Sequence, residues 1–206
     1  MVSQLNPKPD FKPAEVFVVD DLDTLKVLAD PLRLKIRELM YQPTTVKQVA
    51  AELNMPPTKL YYHIDKLEKH NLIVLVDTRV VSGIIEKHYQ VSAWHVRVAK
   101  HLLSPDEPSG EGLDIAVNTF FDTARDDLHD AVDNGSVEWD DEGERHKGLS
   151  LHTGTMRLTE EQAANLYREV ESIFRRYADL DEKQQEKPDT SQYRTFYVLF
   201  PQDKSD

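Results

Sequence analysis

Side chains that can bind a nucleic acid recur at helical spacing between residues 58 and 66. They are Thr58, Lys59, Tyr62, His63 and Lys66. Lysines contact phosphates, while hydroxyl and imidazole groups can hydrogen-bond base edges, and a tyrosine ring adds apolar area for a thymine methyl. The pattern therefore suits a helix that reads DNA.

The apolar residues between these side chains predict how the helix is held. Leu60, Ile64 and Leu67 follow one another at spacings of four and three, which is the buried stripe of a helix from about Thr58 to His70. Tyr61 has two interpretations, a core aromatic that closes the helical package or a further contact, and the core role is favoured.

The preceding segment predicts a second helix and a tight turn. Thr45 and Gln48 form a capping-box pair, and Thr45 is also a candidate DNA contact at the start of this helix. Asn54 tolerates the left-handed conformation that a turn needs, and Pro56-Pro57 can begin the next helix. The buried face of the helix comprises Val46, Val49, Ala50 and Leu53.

The elements on the N-terminal side support this pair. Residues 16–19 are a β-branched run that predicts an edge strand, and apolar residues at helical spacing predict a helix over residues 22–29. Asp30-Pro31 is an N-cap followed by a proline at the first helical position, so another helix is expected over residues 32–40.

A β-hairpin is predicted after the second helix of the pair. Residues 72–76 form one strand, residues 77–83 the tip, and residues 84–91 the returning strand. Arg79 is expected in the tip, where an arginine can enter the minor groove. The alternative, an exposed turn arginine without a partner role, stays open.

This order of elements resembles the ArsR-like winged helix-turn-helix transcriptional regulators. The resemblance covers about residues 20–93 and is carried by LADPLRLKIRELM, TVKQVAAELNMPPTKLYYHIDKLEKHNLI and DTRVVSGIIEKHYQVSA. It implies a homodimer on a palindromic operator. Carried over by position, it also implies a recognition segment and a wing contact, namely Thr58, Lys59, Tyr62, His63 and Lys66, with Arg79 in the wing.

One departure from the family concerns metal sensing. The chain has no cysteine, which excludes a thiolate sensor for arsenic, cadmium or lead. His95 and His101 lie six residues apart and would fall on different sides of a helix, so one helix cannot chelate a metal with both. We expect no metal and no cofactor.

The charge is distributed unevenly. Residues 21–93 carry a net charge of +1, whereas residues 94–206 carry −12, which is also the formal charge of the whole chain. DNA phosphates would repel the acidic half, so it should point away from a duplex. The absence of cysteine, signal-peptide core and membrane-length apolar run favours a cytoplasmic protein.

The C-terminal half predicts helix, strand, helix and strand after a Pro/Gly/Ser-rich linker at residues 104–112. The helices are expected over 113–133 and 159–178, and the strands over 149–157 and 193–200. A charged loop should connect residue 179 to residue 192.

Aromatic residues in this half have three interpretations. They are Phe120, Phe121, Phe174, Tyr177, Tyr197 and Phe200. A core role is favoured, a dimer interface is open, and an apolar small-molecule effector would lie between the helix over 113–133 and the two strands. No nucleophile elbow, phosphate loop or HExxH motif is present, so we expect no enzymatic activity.

The sequence therefore predicts a mostly α fold with a small β content (α+β). The expected parts are a tail over 1–15, a winged helix-turn-helix domain with a flanking dimerisation helix over 16–103, the linker over 104–112, and a C-terminal α+β dimerisation or sensing domain over 113–206.

The expected function is a sequence-specific, homodimeric transcriptional regulator, acting as a repressor on double-stranded DNA. Segments 21–29 and 94–103 are the expected dimer contacts nearest the DNA. The alternative is a winged helix that binds another protein and no DNA.

Overall fold

The computed structural model describes residues 11–104, 106, 108–139, 148–184, 191 and 193–202. It divides into two compact units, Met1–Asp126 and Asp127–Asp206. The elements in chain order are β1 (Ala14–Val19), α1 (Leu22–Leu28), α2 (Pro31–Glu38), β2 (Thr44–Thr45), α3 (Val46–Glu52), α4 (Pro57–Lys69), β3 (Ile73–Val81), β4 (Ile84–Val91), β5 (Ala93–Val98), a 3₁₀ turn (Lys100–Leu103), α5 (Glu111–Asp133) and α6 (Glu160–Gln184).

One apolar core holds the first unit together. It gathers side chains from α1 to α4 and from the strands, and the largest fully buried ones are Val19, Ile36, Met40, Val49, Leu60, Leu67, Leu72, Ile73 and Val91. Burial of side chains of this size stabilises a fold by about 1.5–3 kcal/mol each. The core therefore fixes how the four helices face one another.

Three helices of this unit begin at capping residues, of which Asp30 and Thr45 were predicted from the sequence and Asp21 was not. Asp21 accepts the N–H of Thr24 at 2.7 Å, and Asp30 accepts that of Arg33 at 2.9 Å. Thr45 caps α3 in a complete capping box. These bonds satisfy N–H groups that the first turn of a helix leaves without a partner.

Two sheets complete the unit. Strands β2, β4 and β3 form an antiparallel sheet in that order, and β1 pairs in parallel with β5. The buried Arg37 joins α2 to β5, because its Nη2 donates to the carbonyl oxygen of Ala93 at 2.6 Å. The predicted edge strand at residues 16–19 is thus present, with a partner far along the chain.

The flanking helix expected over residues 94–103 is wrong. Residues 93–98 form strand β5, and only a single 3₁₀ turn follows. Trp94, Val96 and Val98 alternate with exposed His95 and Arg97, which is the period of a strand. No dimerisation helix exists at this position.

The hairpin is longer than predicted. Strand β3 continues through Val81, and Arg79 pairs opposite Glu86 within the ribbon, so it does not lie in the tip. Only Ser82 and Gly83 form the turn, with φ values of 52° and 79°. Two consecutive positive φ angles are typical of a two-residue hairpin turn.

The start of α5 is held against the rest of its unit. A side chain at Gly112 would meet the carbonyl oxygen of Leu102 at 2.0 Å, so this approach requires glycine. Lys26 Nζ lies 2.6 Å from the Glu111 carboxylate, and Ile115 packs on the core. The predicted helix over 113–133 is confirmed, with a start two residues earlier.

The second unit lacks the strands predicted for it. Residues 149–157 and 193–200 form no strand in the described part of the chain. Helix α6 begins at the predicted Thr159–Gln162 capping pair and ends at Gln184, beyond the expected end at residue 178. The loop expected over 179–192 is thus helical as far as 184, and most of the remainder lies outside the described residues.

The aromatic residues expected in a C-terminal core are largely exposed. Phe121, Phe174, Tyr177, Tyr197 and Phe200 are 42–64% exposed. Among the described residues of the second unit, no side chain is buried. The amphipathic patterns predict helices α5 and α6 correctly, but among the described residues the apolar stripes of these helices are largely exposed.

We expect Asp21→Asn to lower stability in a pH-dependent way. Hydrogen bonds from the Thr24 hydroxyl and N–H hold the pKa of Asp21 below its usual value. Because the folded pKa is the lower one, the contribution is full above about pH 4 and is lost as the pH falls through the folded pKa.

Asparagine also caps helices, so the substitution isolates the charge, for which about 0.3–1 kcal/mol is expected at neutral pH. Urea unfolding from pH 3 to pH 7 measures the difference from the unsubstituted chain, with Asp23→Asn as the control in the same turn. A difference that does not shrink on acidification would contradict this account.

Candidate nucleic-acid interface

The rotation of α4 about its own axis decides which side chains it presents. Leu60, Ile64 and Leu67 are 0–3% exposed and anchor one face in the core. The opposite face carries Thr58, Lys59, Tyr61, Tyr62, Asp65 and Lys69, all exposed. The helix begins at Pro57, directly after the turn in which Asn54 adopts a positive φ of 50°.

Tyr61 belongs to this outer face. It is 55% exposed, so the favoured interpretation as a core aromatic is wrong. Tyr62, at 62% exposure, lies beside it. Two adjacent exposed tyrosines on one helix supply apolar area and hydroxyl groups to a partner.

Tyr62, His63 and Lys66 form a contiguous strip on α4. The Lys66 ammonium lies 5.7 Å from the centre of the Tyr62 ring, and the His63 ring meets Tyr62 edge-on at 5.5 Å. The ring contact restrains the long lysine side chain on the helix surface. The strip thus presents a cation, a phenol and an imidazole edge together.

His63 is less accessible than the sequence suggests. Its side chain is 19% exposed, and Nδ1 lies 3.9 Å from the Asp30 carboxylate at the start of α2. That nitrogen is buried and has no hydrogen-bond partner among the described residues. The position suits a residue that orients the strip more than one that reaches outward.

Thr45 does not reach the surface formed by α4. It is 7% exposed, and its hydroxyl accepts the N–H of Gln48 at 3.2 Å in the capping box. The hydroxyl also donates to Gln48 Oε1 at 2.8 Å. Both of its hydrogen-bonding functions are therefore engaged inside the protein.

Lys47 is a candidate that the sequence analysis missed. Its side chain is 60% exposed on the first turn of α3, and Nζ lies 2.6 Å from Glu86 on β4. That hydrogen bond raises the pKa of Lys47 and lowers the pKa of Glu86. The sequence does show a lysine two residues after the cap of α3. The pairing with Glu86 could not be predicted because that residue lies 39 positions away.

The wing is the two-stranded ribbon of β3 and β4, and its charges are paired. Arg79 Nε donates to the Asp77 carboxylate at 2.7 Å, a bond that lowers the pKa of Asp77. Beyond this pair the ribbon is apolar at its end. Val80, Val81, Ile84 and Ile85 are 48–74% exposed.

The root of the wing is attached to α4. Tyr89 of β4 is 4% exposed and lies beside Glu68 of α4. Burial, together with the neighbouring carboxylate, raises the pKa of the Tyr89 hydroxyl, so the phenol stays neutral. The root of the wing is therefore packed against α4.

A cavity of about 410 Å³ lies in the second unit, between α6 and the segment 193–200. Its lining residues are Tyr167, Val170, Glu171, Phe174, Arg175, Tyr197 and Leu199. Tyr167 donates its hydroxyl proton to the carbonyl oxygen of Leu199 at 2.9 Å. The sequence predicted an effector between the helix over 113–133 and the two strands. This cavity includes the segment 193–200 but is lined by α6 and not by the earlier helix.

The described residues contain no group of three or more His, Asp or Glu side chains placed to hold a metal ion. Nor does any described helix combine the length and apolarity needed to cross a membrane.

Comparison with known families identifies the motif. Residues 28–76 match the family model described as a helix-turn-helix domain. The chain contains a helix-turn-helix domain. The matched residues run from the end of α1 into β3, and they include the turn at Asn54 and the whole of α4. A search of the curated proteins gives no match.

Among solved structures, the chain is similar over part of its length to three bacterial proteins. HlyU from Vibrio vulnificus CMCP6, described as a transcriptional regulator, is 23% identical over 35% of this chain and 72% of that chain, with a TM-score of 0.29. Reduced HlyU from Vibrio cholerae N16961 is 22% identical over 35% and 73%, with a TM-score of 0.29. NolR from Sinorhizobium fredii is 26% identical over 35% and 68%, again with a TM-score of 0.29.

We expect Thr45→Ala to act on stability. Loss of the capping hydroxyl should lower the free energy of unfolding by about 1 kcal/mol, because the N–H of Gln48 loses its partner. Chemical denaturation of the two proteins measures this difference. Lys59→Ala, an exposed position on α4, is the control and should change stability by less than about 0.5 kcal/mol; equal losses would refute the capping role.

Proposed function

We propose that this protein is a DNA-binding transcriptional regulator that inserts α4 into the major groove. The observation that supports the proposal is the outer face of α4. This face carries lysines, hydroxyls and an aromatic strip, while the inner face is locked in the core. The major groove is about 12 Å wide and admits a helix of this kind.

Five side chains of α4 have a role in this proposal. Lys59 and Lys66 contact phosphates and set the register of the helix on the duplex. Thr58 and Tyr62 approach base edges from the N-terminal half of the helix, which is where recognition helices contact bases. His63 positions Tyr62, and Thr45 positions α3 through its cap.

The small net charge of the helix-turn-helix region limits the electrostatic part of the expected DNA affinity. The winged-helix region over residues 21–93 carries only +1. Lys47, Lys69 and Arg79 each have a carboxylate within 2.8 Å. The electrostatic contribution therefore comes from few side chains, and the affinity should depend on placed contacts and on binding as a dimer.

The first test is the salt dependence of Lys66→Ala. Removal of one phosphate contact should weaken binding about equally on all sequences and reduce the slope of log K against log salt by about 1. Fluorescence anisotropy with duplexes selected from a random pool measures both quantities.

Lys100→Ala, a lysine outside the helix-turn-helix, is the matched control and should leave the slope unchanged. The DNA-binding proposal fails if no selected duplex, including the upstream region of the protein's own gene, binds more tightly than a random one. It also fails if Lys66→Ala and Lys100→Ala give the same slope.

We further propose that the regulator is a homodimer on a palindromic operator, and that it represses by occupying that site. A stripe of Leu166, Ile173 and Tyr177 runs along α6 at spacings of seven and four, beside the residues that line the cavity. Ile173 is 46% and Tyr177 61% exposed. A second copy would bury this stripe, and a palindromic operator would require the two α4 helices of the dimer about 34 Å apart, one at each half-site.

Ile173→Glu should break this dimer. Because the side chain is exposed, the substitution leaves the fold of one chain intact but places a carboxylate in the proposed interface. Light scattering coupled to gel filtration should give about half the mass of the unsubstituted protein, and affinity for a palindrome should fall to that for a half-site. Met156→Glu, at a residue 61% exposed off this helix, should remain dimeric; a dimeric Ile173→Glu protein would exclude the α6 interface.

The cavity of the second unit suits the apolar effector considered from the sequence. Three aromatic rings and Arg175 line a volume of about 410 Å³, which lies within the usual range of small-molecule sites. Because the cavity adjoins the α6 stripe, an occupant that moved α6 would change the spacing of the two recognition helices and hence operator affinity.

A second candidate function is a winged helix that binds another protein. The weak net charge over residues 21–93 and the adjacent exposed tyrosines favour it. Tyrosine is enriched at protein interfaces because one residue provides both apolar area and a polar group. The salt titration separates the two candidates, since binding to a protein requires no release of counterions from DNA.

A further inference from the structure

The end of the wing is apolar on both of its faces. Opposed residues in an antiparallel ribbon share a face, and successive pairs alternate. Val80 pairs with Ile85 on one face, and Val81 pairs with Ile84 on the other. Their exposures are 74% and 54%, and 48% and 61%. A ribbon that packs flat on a surface needs only one apolar face. An end that is apolar on both faces suits a groove whose two sides can both contact it.

We propose that this wing tip is an apolar wedge that enters the minor groove of DNA, widens it and bends the duplex. The proposal rests on the proposed DNA-binding function and specifies how the wing takes part in it. It replaces the arginine contact expected from the sequence, because the guanidinium of Arg79 is bound to Asp77 on the stem of the wing.

The dimensions of the tip agree with this placement. The last two pairs of the ribbon extend about 7 Å, close to the minor-groove depth of about 7.5 Å. A ribbon with side chains on both faces is about 10 Å thick, whereas the groove is about 6 Å wide. Entry therefore requires the groove to open, which bends the duplex as other apolar wedges do.

Charge distinguishes the tip from the exposed apolar stripe of α5. The apolar stripe of α5 is flanked by Asp114, Asp122, Asp126 and Asp130, which would repel phosphates. Residues 80–85 carry no charge, and the carboxylates next to them, Asp77 and Glu86, are paired with Arg79 and Lys47. Near DNA, the tip would thus meet less electrostatic repulsion than the stripe of α5.

Attachment to the helix-turn-helix supports the same partner. Lys47 joins the ribbon to α3 through Glu86, and the buried Tyr89 packs the root of the ribbon beside Glu68 of α4. When α4 lies in the major groove, a wing packed beside this helix would lie over the adjacent minor groove. Easily unstacked steps such as TA would be favoured there, which gives sequence preference without base hydrogen bonds.

The test combines affinity, bending and position on duplexes selected with the unsubstituted protein. The double variant V80T/I85T keeps β-branched side chains and hence the hairpin, but places two hydroxyls on one face of the wedge. We expect at least about ten-fold weaker binding, an amount that corresponds to loss of part of the apolar burial of two side chains. Energy transfer between dyes at the duplex ends should report a smaller bend, and the salt slope should not change.

A control variant and a cleavage experiment test whether the effect belongs to the wing tip and whether the tip lies in the minor groove. V132T, the same change at an exposed valine outside the wing, should alter neither affinity nor bend. Because the chain has no cysteine, S82C gives a single attachment point for an iron chelate at the tip. Cleavage offset towards the 3′ side on both strands identifies the minor groove.

Each result has a defined meaning. The wedge is overturned if the unsubstituted protein binds a selected duplex but V80T/I85T binds and bends it equally, or if cleavage from residue 82 is absent or in the major groove. A double variant that loses affinity only through a change of oligomeric state in gel filtration assigns the tip to a protein contact and also overturns it. Failure of the unsubstituted protein to bind any duplex instead refutes the proposed function itself.

Discussion

The burial of Leu60, Ile64 and Leu67 is the constraint on which the candidate interface depends. An α-helix has only one rotational setting that places these three side chains in the core. Once this setting is fixed, the positions of Lys59, Tyr62 and every other outward residue follow without further interactions. The same core receives Leu72 and Ile73 from the chain that leaves α4, and this sets where the wing begins. One apolar core therefore sets the orientation of both α4 and the wing.

Local signals explain why much of the N-terminal unit could be predicted from the sequence. Asp21, Asp30 and Thr45 cap their helices through bonds to residues three positions ahead, so the information lies within one turn. Asn54 marks the turn by its tolerance of positive φ. The identity of the outer face of α4 followed from the spacing of apolar residues alone, although Tyr61 was assigned to the wrong side.

The predictions that are wrong concern segments whose structure depends on a partner that is distant in the sequence or absent from the described residues. Strand β5 pairs with β1, whose residues lie about eighty positions earlier, so the segment after Ala93 was mistaken for a helix. The β-branched and aromatic runs at 149–157 and 193–200 indicated strands, but strand propensity is expressed only when a neighbouring strand and a packed face are available. The prediction of Arg79 in the tip is wrong because the paired ribbon continues through Val81. Asp77, the actual partner of Arg79, holds it on the stem.

The parallel pairing of β1 with β5 has a consequence for how the first unit forms. Ala14 pairs with Ala93, so the strand nearest the N-terminus is completed by one of the last strands of the winged-helix region. Contacts of such long sequence separation carry a large loop-closure entropy and slow folding. During synthesis, helices α1 to α4 can assemble before β5 has emerged. The backbone edge of β1 remains unpaired until then. The winged-helix region is thus closed only after nearly half of the chain has been made.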